Sequence, residues 1–137
     1  MGCNYYMALK RLFNWPENLH RFIDSKRLTP FKLGVNDCGL FAAGAVSAMT
    51  GVDLFSSLKG KYTDAAGEQA VLMGLVTAHN LQEVPVSMAR RGDICLYVSE
   101  NGPTALVVSG DGVNALGPGD KGLISIPVLK CSKAWRI

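Results

Sequence analysis

Four cysteines and two histidines are the side chains in this 137-residue chain best suited to nucleophilic or proton-transfer chemistry. Cys38 stands out, because it follows Asp37 in the segment Gly34-Val35-Asn36-Asp37-Cys38-Gly39-Leu40-Phe41. Asp is a good helix N-cap, so Cys38 is placed in the first turn of a helix. There the helix dipole and unpaired backbone N–H groups favour thiolate over thiol, and the thiolate is the nucleophile. Gly39 lets a substrate or another backbone come close. Taken alone, Asp-Cys at a helix start also describes a small core residue behind an ordinary cap. The partner such a nucleophile needs is a base, and only His20 and His79 are available. His20 falls inside a first helix. His79 falls at the end of a third, where the dipole already explains it, which leaves it an improbable substitute base. Cys95 alternates within an apolar run and reads as core. Cys3 and Cys131 lie too far from the other cysteines in sequence to support a metal or iron-sulfur site. No CxxC pair is present, and neither histidine has metal-ligand spacing from a cysteine, so no cofactor and no metal are expected.

The elements that must position these residues follow from periodicity and punctuation. A first helix begins near Asn14-Trp15-Pro16, with Asn14 as its expected cap, Pro16 tolerated in the first turn, and Trp15, Leu19, Phe22 and Ile23 on one stripe. Residues 27–35 read as a loop. The second helix starts at Asp37, is apolar on most faces through Met49, and ends at Gly51; it should run through the core. A third is predicted from Thr63, as cap, to about His79, with Asp64 and Glu68 favourable near its positive end. Strands are expected at Ile94–Val98, Ala105–Val108, Val113–Leu116, Leu123–Val128 and Lys130–Ile137. Glu100-Asn101-Gly102-Pro103, Gly110-Asp111-Gly112 and Gly117-Pro118-Gly119-Asp120 read as turns. The result is one α+β domain over residues 1–137, helical over about 14–80 and a β-meander over about 90–137.

Composition narrows the functional classes. Hydrophobic residues make up 48% and charged residues 18%, which fits a packed globule rather than a disordered chain. The balance of 14 basic to 11 acidic residues is too even for a nucleic-acid or anionic-membrane binder, and Lys26-Arg27 and Arg90-Arg91 read as solvent-facing pairs. No apolar run approaches the ~20 residues of a membrane helix, so no membrane insertion is expected. Residues 1–13 lack the layout of a signal peptide, which makes a disulfide framework unexpected.

Asp37-Cys38-Gly39-Leu40, Arg91-Gly92-Asp93-Ile94 and the strand Thr104-Ala105-Leu106-Val107-Val108 with Gly110-Asp111-Gly112 together resemble the NlpC-type cell-wall cysteine peptidases. These are papain-like enzymes that cut peptidoglycan stem peptides. The resemblance implies a papain-like fold with a Cys-bearing central helix against an antiparallel sheet. From Trp15 to Ile137 the chain is also similar to small tailed-phage tail-tip and baseplate proteins. That similarity includes Asn36-Asp37-Cys38, the Met49-Thr50-Gly51-Val52-Asp53-Leu54 helix exit and the closing Ala134-Trp135-Arg136-Ile137. Against the enzyme pattern, the position of the catalytic histidine falls at about Thr104, no histidine follows His79, and Asn114 is only a loose counterpart of the orienting residue. A thiol without a base within reach is poorly equipped for acyl transfer. The expected role is therefore a structural component of a phage tail tip, made in the host cytoplasm and assembled into the virion tail with other tail-hub proteins. An active peptidase acting on peptidoglycan, with Cys38 as nucleophile, is the alternative. A cytoplasmic chaperone or regulatory binding domain is a third reading.

Overall fold

The computed structural model describes residues 9–100 and 102–137. Cys3, the residues read for a signal peptide before Leu9, and Asn101 of the expected turn lie outside the described residues. Helix α1 (Trp15–Lys26) carries Pro16 in its first turn and buries Leu19 and Ile23, as its stripe requires. Asn14 precedes it but makes no capping bond; its side chain accepts from Asn18 Nδ2 instead. Helix α2 (Cys38–Thr50) begins at Asp37 and stops at Gly51, whose φ of 76° is the left-handed conformation that suits glycine. Nine of its residues are buried, so it is the core helix, and the Phe22 ring of α1 meets Phe41 at 5.4 Å between centroids.

A short helix α3 (Phe55–Leu58), not expected from the sequence, leads into α4 (Ala65–Ala78). The α4 cap is Asp64, which accepts from the Gly67 N–H, rather than the expected Thr63. The strands are β1 (Gln82–Val84), β2 (Ile94–Ser99), β3 (Gly102–Val108), β4 (Asn114–Gly119), β5 (Gly122–Pro127) and β6 (Lys133–Arg136). They form one antiparallel sheet in the order β1-β6-β2-β3-β4-β5. Several details depart from the sequence reading: Gly102-Pro103 of the expected first turn open β3, and Lys130 lies in a 3-10 turn before β6 rather than in it. The three-residue β1 was not expected, and it makes β6 an interior strand, so only β2 to β5 form a meander. Gly117-Pro118-Gly119 is strand, not turn. Beyond Leu116, β4 pairs with β5 alone, so the N–H that Pro118 lacks costs no bond to β3.

Alternation gives the sheet two apolar faces. Ile94, Ala105, Val107 and Trp135 join α2 in the main core, while Cys95, Leu106, Val108, Ala115 and Ala134 join Val128 and Cys131 in a second. Asp93, fully buried, ties the ends together. Arg11 Nη2 donates to its Oδ1 and Arg136 Nε to its Oδ2, both at 3.0 Å; the N–H groups of Arg90 and Ile137 complete its shell. The Arg-Gly-Asp segment thus serves the fold here.

Candidate functional site at the start of the central helix

The α2 start is built from three segments. Asp37, fully buried, accepts from the Leu40 N–H through Oδ1 at 2.9 Å. Its Oδ2 accepts from the Gly34 N–H at 2.7 Å and from the Tyr62 hydroxyl at 2.6 Å. This cap fixes the loop before α2 and the segment before α4 to one point. Burial, with Asp37 as acceptor, holds the Tyr62 hydroxyl protonated well above its ordinary range.

The next turn of α4 brings Glu68 over Cys38. The Cys38 thiol donates to Glu68 Oε1 at 2.8 Å, and the Gly39 N–H donates to the same oxygen at 2.7 Å. Glu68 is only 5% exposed and has no cationic partner among the described residues. Gly39 eases this approach: a Cβ there would stand 3.0 Å from Oε1 and crowd the Glu68 side chain. Burial raises the Glu68 carboxyl above its ordinary value, and the two donated hydrogen bonds oppose that. Burial, followed by the charge and hydrogen bond of Glu68, pushes the Cys38 thiol far up; the Ala105 N–H pulls the other way without winning. The helix start that should favour thiolate is already occupied by a carboxylate. Proton transfer from Cys38 to Glu68 is uphill, so the resting pair is a neutral thiol on an acceptor.

Cys38 and Glu68 open onto a cleft of about 480 Å³ whose walls include Phe31, Tyr97, Thr104 and Ile126. Thr104 therefore shares a cleft with Cys38, and neither histidine lines it. His79 caps the far end of α4, eleven residues beyond Glu68 and so roughly 16 Å along the axis, beside Leu81 and Arg136. His20 lies on α1 beside Arg27 and Arg91. Asn114 donates to Asp111 within the β3–β4 turn. The structure thus brings Cys38 together with Glu68 and Tyr62, which sequence reasoning missed as site residues. The one available signal was that Glu68 is the single charged residue in the apolar stretch Ala65–Ala78.

A family profile described as "Domain of unknown function (DUF6950)" matches residues 10–137. The chain belongs to this family. Among solved structures, the DUF6950 chain is similar to the crystal structure of the NlpC/p60 domain of the peptidoglycan hydrolase SagA. The TM-score is 0.55 at 19% identity, over 90% of this chain and 96% of that one. The likeness establishes an NlpC-like, papain-type α+β fold for the DUF6950 chain. No curated protein sequence matches it.

Proposed function

We propose that this chain is a structural component of a phage tail tip, built on a cell-wall peptidase fold whose nucleophile position has been converted into a structural contact. The observation that carries the loss of chemistry is the Cys38–Glu68 hydrogen bond. A peptidase of this chemistry needs a base that draws the proton from sulfur; here burial, reinforced by the facing Glu68 carboxylate, keeps the proton on it. The tail-tip assignment is supported by the similarity from Trp15 to Ile137 to small tail-tip proteins. Mass spectrometry of purified particles should find the chain as a virion component, and purified protein should release no fragments from peptidoglycan. Absence from particles would overturn the tail-tip role, and Cys38-dependent fragment release would overturn the loss of chemistry.

The second reading, an active peptidase, draws on the cleft, which leaves Cys38 open to a peptide-sized ligand. The two readings separate on Thr104→His, which puts a histidine in the cleft at about the position implied by the resemblance to the enzymes. Under the structural reading, Thr104→His alone leaves Cys38 alkylation slow, and only Thr104→His with Glu68→Gln accelerates it. If the wild-type chain already reacts as fast as the double variant, the enzymatic reading prevails.

A further inference from the structure

Away from the Cys38 cleft, and sharing no lining residue with it, four arginines surround a pocket of about 450 Å³: Arg11, Arg90, Arg91 and Arg136, with Trp15 and Ile137. The arginines are not equivalent. Arg11 is fixed through all of its nitrogens, to Asp93, to the Arg91 carbonyl at 2.9 Å and to the Ile137 main-chain oxygen at 2.9 Å. Arg136 is held by Asp93 and by the Met88 carbonyl at 2.7 Å. Arg90 and Arg91 are exposed and have no side-chain acceptor among the described residues. The Arg91 guanidinium lies 5.2 Å from the centre of the Trp15 ring, and that of Arg11 lies 4.1 Å from it. The single carboxylate here, Asp93, is buried beneath them; a terminal carboxylate at Ile137 would still leave two positive charges in excess. The crowding is felt within the cluster. Burial lowers Arg11 below its ordinary value, Asp93 opposes this, and Arg136, Arg90 and Arg91 add to the lowering.

We infer that this arginine pocket is a docking site for an acidic segment of a partner protein, whose carboxylates pair with Arg90 and Arg91. Guanidinium forks match carboxylates bidentately. Arg and Trp are the side chains that most often anchor protein interfaces. Arg11 and Arg136, held in place by Asp93, add fixed positive charge behind the two arginines that are free to pair. A single-stranded nucleic acid fits less well. It needs an open aromatic face for base stacking, and the Trp15 ring is engaged by two guanidinium groups. The inference stands whether or not Cys38 is catalytic.

The test is fluorescence anisotropy on the full chain with labelled hexaglutamate, and separately with labelled oligo-thymidine. Hexaglutamate should bind, more weakly as salt is raised. Arg90→Glu/Arg91→Glu should lose roughly tenfold or more in affinity, and Arg90→Gln/Arg91→Gln should lose less. Lys61→Glu/Lys121→Glu carries the same change of charge on exposed residues outside the pocket and should bind nearly as the parent does. No hexaglutamate binding, unchanged binding by the Arg90/Arg91 variants, or an equal loss in the Lys61/Lys121 control would each overturn the inference. Tighter binding of oligo-thymidine than of hexaglutamate would overturn it in favour of nucleic acid.

Discussion

Two buried carboxylates, Asp93 and Glu68, are solved in opposite ways. Asp93 is surrounded by charge: two guanidinium groups and two backbone N–H groups reach its oxygens. Glu68 has a thiol and one backbone N–H, with no cation among the described residues. Burying an ion is costly unless paired charges and hydrogen bonds offset the lost hydration. Asp93 meets that condition, so it can serve as the clamp between the N-terminal segment, the sheet and β6. Glu68 meets it only in part, which is why its carboxyl is raised and why it can be replaced more cheaply. Asp37 stands between them, with three neutral donors and a helix to cap.

The comparison breaks most readily at Asp93. Asp93→Ala leaves Arg11 and Arg136 without their shared acceptor, and removing one partner of a buried ion pair costs about 3–5 kcal/mol. Denaturant unfolding should show a loss of that size, and a loss below about 1 kcal/mol would remove Asp93 from its role as clamp. Asp37→Ala comes next. It removes an N-cap, about 1 kcal/mol, and strands the Tyr62 hydroxyl and Gly34 N–H, for a total of about 2–4 kcal/mol. Tyr62→Phe should cost less, about 1 kcal/mol, because Asp37 keeps its two backbone donors.

Glu68→Gln should have the smallest effect, within about 1 kcal/mol near pH 7, since the amide oxygen still accepts from Cys38 and Gly39. Its sign depends on pH. A carboxyl whose folded value is raised contributes stability that is complete below its ordinary value and is lost as pH rises through the raised one. The glutamine variant has no such loss, so its thermal midpoint should gain on wild type as pH rises above about 4, the ordinary carboxyl value. A constant difference over that rise would mean that Glu68 titrates as it does in the unfolded chain.

What the sequence disclosed was local. Asp37 as cap, Cys38 in the first turn, the apolar circuit of α2 and the stop at Gly51 all lie within fifteen residues of one another, and local chemistry decides each. The α+β layout and most strands followed from alternation and turn residues. The pairing that decides the chemistry was not local. Glu68 is 30 positions from Cys38 and Tyr62 is 25 from Asp37, so each reads in the sequence as an ordinary helix-start acid or core aromatic. Strand β1 escaped because three residues, two of them polar and exposed, carry no alternation of their own; it exists because the edge of β6 is there to pair with.

The central claim is that burial and Glu68 together hold the Cys38 thiol protonated. Its most direct test is the rate of Cys38 alkylation as a function of pH, followed peptide by peptide by mass spectrometry so that the other cysteines do not interfere. The expected profile lies below that of an unperturbed thiol at neutral pH and is still climbing at about pH 9, past the ordinary thiol value. A fast reaction that reaches its plateau by about pH 7 would mean a resting thiolate, and would contradict the account.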